Sequence, residues 1–256
     1  MKAILLQLNL GFRSYFKALQ FLQKNKAWHF LLIPGLIHLV LFIASSVVAF
    51  YLSSFVVELI HPNIEEWELW GWLEWTLSFI ISWGIKTAII ALYFYVYKYI
   101  ILLLMSPIFS FIAEYVTGKL EGNTLPFSWT RLSKEIIRGI QIAIRNTALQ
   151  LLFLVLLFII SFIPFVNLIV PFAILFADSY FFGFSMMDYY HEQKMYSKRE
   201  SIAVIRKNKG IAIANGLSYY TLMLIPFIGW LIAPILSIIA GTISAHDLKT
   251  ITDEQR

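Results

Sequence analysis

Ile163-Pro164-Phe165-Val166-Asn167-Leu168-Ile169-Val170-Pro171 returns, with one residue added, as Ile225-Pro226-Phe227-Ile228-Gly229-Trp230-Leu231-Ile232-Ala233-Pro234. Each copy lies in the middle of an apolar stretch of about 35–40 residues with basic and polar ends. Proline stops a helix by removing a backbone N–H and clashing with the preceding turn, and Asn or Gly favours a turn. Each stretch therefore reads as two apolar arms joined by a tight turn, with both ends on one side of a membrane.

Composition demands a membrane. The chain has 256 residues, 59% hydrophobic and 14% charged, with a mean hydropathy of +0.75; soluble domains are close to half apolar and a quarter charged. There is no cysteine, which excludes disulfides, thiolate metal sites and cysteine nucleophiles. The five histidines, His29, His38, His61, His191 and His246, are scattered, and no pair has metal-ligand spacing on one helix face. No phosphate-binding loop, dinucleotide fingerprint, nucleophile elbow or zincin motif is present. The expectation is a protein that is no enzyme and has no cofactor and no metal. The net charge of +5 tracks membrane topology rather than nucleic acid.

Along the chain, a single membrane domain divides into eight segments. Residues 1–27 carry Leu5, Leu8, Phe12, Tyr15, Phe16, Leu19 and Leu22 at three- and four-residue steps, with Lys2, Arg13, Lys17 and Lys24 between them. That pattern is an amphipathic interfacial helix, not a secretory signal. Residues 28–57 hold one spanning helix, with Pro34 in its first turn. The connector 58–74 is acidic, with Glu58, Glu65, Glu66, Glu68 and Glu74, and rich in interfacial Trp. Residues 75–112 hold a second long span that continues past a belt at Tyr97, Lys98 and Tyr99 towards Ser106-Pro107. Residues 113–146 are a polar connector with an amphipathic helix through Leu132, Ile136, Ile137, Ile140 and Ile144. Hairpin 1 occupies 147–187. A basic connector, 188–210, follows, with a capping box at Ser197-Lys198-Arg199-Glu200 and a helix stop at Gly210. Hairpin 2 occupies 211–245.

Of the 20 Lys and Arg residues, none lies in the acidic connector, which puts both termini and the hairpin ends in the cytoplasm and residues 58–74 outside. Each hairpin arm reads as about 14–18 residues, or about 21–27 Å, against a core of about 30 Å. Re-entrant, half-penetrating hairpins fit best, and short full spans are the alternative. The fold class is thus an all-α integral membrane protein with two long transmembrane helices, two re-entrant hairpins and amphipathic cytoplasmic helices. Turn backbone cannot face lipid unsatisfied, so the tips must pack on the two long helices or be buried in a homo-oligomer, and two spans with two half-depth hairpins favour the homo-oligomer.

Gly11-Phe12-x-x-Tyr15-Phe16, Ile33-Pro34, Ser106-Pro107-Ile108-Phe109-Ser110-Phe111-Ile112-Ala113-Glu114, the two Ile-Pro tips and Asp188-Tyr189 follow one another in an order that resembles the CysZ-type sulfate permeases and the wider etoposide-induced-protein-like membrane family. The resemblance covers nearly the whole chain. It implies two long spans, two half-penetrating hairpins, oligomeric assembly and sulfate uptake across a bacterial inner membrane. It also implies a sulfate site at a Gly-x-Arg-Arg type motif just before the first span. Counting back from Pro34, this chain has Trp28 and His29 there, preceded by Lys26 and Ala27. Two guanidinium groups suit a tetrahedral dianion, and Trp with a neutral His does not replace them. Lys24 and Lys26 offer only flexible point charges nearby.

Candidate substrate-binding residues are therefore Lys26, Trp28, His29, Lys86 and Glu114. Lys86 sits about 16 Å along its helix from Trp75, where a lysine either attracts an anion or snorkels or pairs with Asp178. Glu114 either pairs with cytoplasmic basic residues or caps a helix end in solvent. The hairpin tips, with Pro164, Asn167 and Pro171 in one and Pro226, Gly229 and Pro234 in the other, begin new helices whose free N–H groups suit anions. The expected function is an anion permease or channel, with sulfate or a related oxyanion as substrate. A non-transporting membrane scaffold of the same fold is the alternative. The expected partners are the lipid bilayer, an inorganic anion and further copies of the chain, with no nucleic acid.

Overall fold

Prolines, a few glycines and one asparagine decide where the helices break. The structure is a computed structural model and describes residues 2–65, 71–122, 129–226 and 228–254. Part of the acidic connector, including Glu66, Trp67, Glu68 and Trp70, lies outside the described residues, as does Phe227 of the second tip. The side chains of Glu65, Glu74, Lys98, Tyr99, Arg131, Leu132, Lys134 and Ile136 lie outside them as well. Among the described residues the chain is helical throughout, with no strand. The helices are α1 (Lys2–Lys24), α2 (His29–Glu65), α3 (Gly71–Glu121), α4 (Trp129–Ile160), α5 (Val170–Gln193), α6 (Lys198–Lys207), α7 (Lys209–Met223) and α8 (Ile228–Glu254). Among the described residues five stretches are long and apolar enough to cross a membrane: Pro34–Leu59, Gly71–Tyr93, Ile137–Ile160, Val166–Gln193 and Ile228–Ile251.

The first Ile-Pro copy forms a turn, as its sequence predicts. Phe165 takes the left-handed conformation (φ 65°) after Pro164, a single 3-10 turn spans Val166–Leu168, and Pro171 lies in the first turn of α5, where a missing N–H costs nothing. The turn satisfies its own backbone: the N–H of Ile163 donates to Ile160 O, that of Val166 to Ile163 O, and that of Ile169 to Val166 O. In the single chain the tip residues Pro164, Phe165 and Asn167 are exposed.

The second copy breaks at Leu224-Ile225-Pro226, with Leu224 N–H donating to Thr221 O and Trp230 Nε1 donating to Met223 O at 3.2 Å. Gly229 is required, because a Cβ there would run into the carbonyl of Leu222. Here two readings need correction. A new helix was expected near Gly229–Pro234; α8 does start there, at Ile228, but Pro234 sits inside it rather than at its first turn. One missing hydrogen bond near a helix start is tolerated when the flanking residues are packed, and Pro234 and its neighbours Ala233 and Ile235 are buried. Gly210 does not stop a helix either. Asn208 separates α6 from α7, and Gly210 lies in the first turn of α7 against the side chain of Gln7. The capping box at Ser197 forms as expected, with reciprocal bonds between Ser197 and Glu200.

The polar connector and the first arm of hairpin 1 form one continuous helix, α4, and α3 likewise runs on through Pro107 to Glu121. Amphipathic and fully apolar stretches differ in what they face and not in backbone, so a helix passes from one to the other where nothing breaks it.

Two compact units result. Residues 1–36 and 105–256 form the first, built on α1, α5, α7 and α8 with α4 along α5. Its core joins Ile142, Phe184, Met187, Tyr190, Ile205 and Ile211. Glycines bring the backbones together: a Cβ on Gly183 of α5 would overlap the Ala212 carbonyl of α7, and one on Gly216 of α7 would overlap the Ser179 carbonyl of α5. A Cβ on Gly11 would come within 2.6 Å of Ala214 Cβ. Across the same contact Tyr15 donates to Asn215 O at 2.8 Å, and Ser14 and Ser244 bracket the Asn215 amide at 3.1 and 2.9 Å. Burial of α1 thus falls on Gly11, Ser14, Tyr15, Ala18 and Leu22, while Leu5, Phe12, Phe16 and Leu19 stay exposed.

Residues 37–104 form the second unit. There the Tyr93 hydroxyl bonds Ser45 (2.8 Å) and Ser46 (3.1 Å), and the Phe42 and Tyr97 rings meet edge to face at 5.3 Å.

Gly183→Ala is expected to lower stability by about 2 kcal/mol, since overpacked helix contacts cost about 1–3 kcal/mol. Gly84→Ala, with nothing within 4 Å of its Cβ position, is expected to be neutral or stabilising by up to about 1 kcal/mol. Thermal unfolding of the two purified variants in detergent checks both.

Candidate functional site

Lys26 turns the chain between α1 and α2 with a left-handed φ of 50°. Ala27 is fully buried beneath it, and Trp28 and His29 stay exposed. The His29 ring leans on Phe30 at 4.3 Å, and Phe30 reaches Tyr115 (4.8 Å) and Phe111 (6.0 Å) of α3. Glu114 lies in that same turn of α3, partly buried and itself engaged in interactions. The structure thus brings Lys26, Trp28 and His29 beside the segment that carries Glu114. Lys119, one turn on from Tyr115, lays its ammonium over that ring at 5.8 Å.

Lys86 belongs to the second unit, half-buried, with its ammonium 6.0 Å from the Trp83 ring. Asp178, considered as its partner, accepts a hydrogen bond from Gln150 across the α4–α5 contact. Pro164, Asn167 and Pro171 cluster at one tip. Pro226 and Gly229 mark the other, with Pro234 buried inside α8. Among the described residues no three His, Asp or Glu side chains group as a metal site would need.

Sequence reasoning missed the most developed polar cluster, at the end of the α4–α5 pair away from the first tip. Arg138 of α4 grips Asp188 of α5 through both terminal nitrogens at 3.1 and 2.9 Å, and its Nε donates to Tyr196 O at 3.1 Å. The Ser201 hydroxyl of α6 donates to Asp188 Oδ1. With that proton committed, Ser201 Oγ accepts from His191 Nδ1 at 2.9 Å, which fixes the proton on Nδ1. The His191 ring stacks on Tyr196 at 5.0 Å, nearly parallel. Asp188, His191 and Ser201 are all buried. Every strong acceptor of Asp188 is taken, so the cluster locks α4, α5 and α6 together and offers no vacant cation to a substrate. Alongside it, Lys194 pairs with Glu121 at the end of α3, and Tyr190 donates to the same carboxylate at 3.2 Å. Partial burial opposes ionisation of Glu121, but those two donors hold its carboxyl below the usual glutamate value. The sequence signal was weak: Arg138 and Asp188 are 50 residues apart, and only the antiparallel register of α4 and α5 pairs them.

Removing one member of a buried, hydrogen-bonded ion pair strands the other charge, at about 3–5 kcal/mol. Arg138→Gln and Asp188→Asn are each expected to destabilise the protein by about 3 kcal/mol, and the double variant by less than their sum. A thermal-shift double-mutant cycle in detergent measures the coupling, and strict additivity would contradict the lock.

The family model described as "Sulfate transporter CysZ/Etoposide-induced protein 2.4" matches residues 14–234. A protein of Pseudomonas fluorescens named sulfate transporter CysZ is 29% identical over 210 residues, 80% of either chain. Its namesake in Pseudomonas aeruginosa is 25% identical over 209 residues, 80% of this chain and 82% of the relative. A match over most of its length to that model places this chain in the CysZ/etoposide-induced protein 2.4 family.

Proposed function

We propose that this chain is a sulfate permease that conducts the anion along a protein-lined path between its hairpins, without chemistry of its own. Family membership carries this reading: relatives aligned over 80% of the chain are named sulfate transporters, and none of the names reported for them is that of an enzyme or a scaffold. The membrane location rests on the same relatives and on the five long apolar helices.

The proposed topology has α2 and α3 crossing the bilayer, α4–α5 and α7–α8 entering it from the cytoplasm as half-penetrating hairpins, and both termini inside the cell, in the bacterial inner membrane. Two observations support it. The 15 residues between Arg145 and Ile160 rise about 22 Å, and the 15 residues of α7 about the same, short of the core's roughly 30 Å, while the return arms α5 and α8, at 24 and 27 residues, are longer. The first tip is also apolar as well as exposed: Phe165 is 84% accessible and Phe162 74%. Such a tip suits hydrocarbon and not the water on the far side. Its internally bonded turn leaves few backbone groups for lipid to strand. In the assembled protein, proposed as a homo-oligomer, Lys26, Trp28, His29 and Glu114 would form the cytoplasmic mouth. Lys86, within the second unit, would attract an anion at membrane depth.

Purified protein in proteoliposomes is expected to take up radiolabelled sulfate above protein-free vesicles, with Lys86→Leu reducing the rate about tenfold. Uptake equal to empty vesicles from folded protein would sink the transport reading. The absence of native cysteine allows a separate topology test with single-cysteine variants. An impermeant maleimide added to intact cells is expected to label Glu58→Cys, and to label Arg199→Cys only after lysis. Phe165→Cys is expected to resist it in both cases. Labelling of Phe165→Cys from outside would convert hairpin 1 into a full span.

A further inference from the structure

We propose that the two outward faces of α1, together with the exposed cations at the corner between α6 and α7, form a docking surface for the anionic headgroups of a bilayer leaflet.

Direct bonds fasten α1 to that corner. Gln7 Nε2 donates to Lys207 O at 3.2 Å and to Asn208 Oδ1 at 3.3 Å, and the Gly210 N–H donates to Gln7 Oε1 at 3.1 Å. Further along α1, Tyr15 donates to Asn215 O, and Lys17 pairs with Asp247 of α8 at 2.6 Å. Helix α1 thus lies across the start of α7 and the late part of α8. That is the mouth of hairpin 2, away from its tip at residues 224–226. In a hairpin that enters a bilayer, the mouth lies at the membrane surface.

Helical spacing gives α1 three faces. Gly11, Ser14, Ala18 and Leu22 pack against protein. At about 100° per residue, Leu5, Phe12, Phe16 and Leu19 share an arc of about 60°, and Arg13, Lys17 and Lys24 share one of about 40° centred about 110° further round. The apolar arc is exposed, with Phe16 69% and Leu5 60% accessible. The basic arc is exposed as well. A helix bordered by protein, hydrocarbon and headgroups needs these three faces.

Charge selects the occupant. Residues 1–57 contain no Asp or Glu. On the packed elements, Asp247 is engaged by Lys17, and Glu200 closes the cap of α6. Arg13, Lys24, Arg206, Lys207 and Lys209 are exposed, and among the described residues none has a carboxylate at ion-pair distance. A second copy of the chain would set cations against cations. A nucleic acid offers no hydrocarbon to Phe12 and Phe16. An anionic phospholipid supplies phosphate oxygens and acyl chain side by side, and lacks the quaternary ammonium that a choline headgroup turns towards these cations. The docking rests on the membrane reading and not on transport.

The chain has no cysteine, so Leu5→Cys and Phe16→Cys in the full-length protein can each carry a single bimane label. The labelled protein is placed in phosphatidylcholine vesicles containing phosphatidylglycerol, and nitroxide-bearing forms of the two lipids are compared as quenchers at equal mole fraction. Both are expected to quench, the phosphatidylglycerol form more strongly. Lys207→Gln and Lys209→Gln, both at exposed positions, are each expected to lower that preference by up to about fivefold, and added salt to erode it. A label at Val48→Cys, exposed on α2, is expected to be quenched equally by both lipids. Equal quenching of the α1 labels by the two lipids, or a preference indifferent to Lys207 and Lys209, overturns the docking surface. So do α1 labels shielded from both lipids, with pyrene excimers between labelled copies, which would make a second copy the occupant. Sulfate uptake by the same vesicles separates the two proposals: the lipid preference without uptake sinks the transport reading alone, and uptake without the preference sinks the docking surface alone.

Discussion

The contact on which the first unit depends is the reciprocal one between α5 and α7. Ser179 and Gly183 stand four residues apart on α5, Ala212 and Gly216 four apart on α7, and each glycine receives the other helix's backbone. Lipid tails are as apolar as leucine, so apolar burial gives two helices in a bilayer little reason to associate. Close backbone approach, dispersion and polar contacts do instead. Everything else in the unit is arranged around that crossing. Gly241 lets α8 approach Met186 of α5, and Gly11 lets α1 approach α7. Asn215, one residue from Gly216, ties α1 and α8 to α7 through Ser14, Tyr15 and Ser244. A helix that owes its place to such contacts need not be long, which is why α7, at 15 residues, holds its position.

The same constraint explains what the sequence made legible. The helix breaks at both Ile-Pro copies could be read because proline and its turn-prone followers act locally. The capping box at Ser197 could be read for the same reason. Gly210 and Pro234 were misread because their roles are tertiary. Gly210 is small so that α7 can meet Gln7 of α1, and Pro234 is tolerated because its surroundings are packed. The amphipathic pattern of α1 was visible, but the face it packs against protein was not. Gly11, Ser14 and Ala18 form the packed face, while Phe12 and Phe16 remain outside. In water the large apolar residues would go inside. In a membrane small residues mark the contacts and large ones face lipid.

The candidate site divides along the same line. Trp28 and His29 could be found by their place before the first span, and Lys86 by its charge inside an apolar run, since both signals are local. The Arg138–Asp188–Ser201–His191 lock could not be read, because it requires the register of α4 against α5 and the position of α6. The paired carboxylate also explains why arginines on the same stretch of helix differ in what they can do. Arg138 is neutralised and structural. Arg145, two turns further along α4, meets an amide rather than a carboxylate and keeps its charge available.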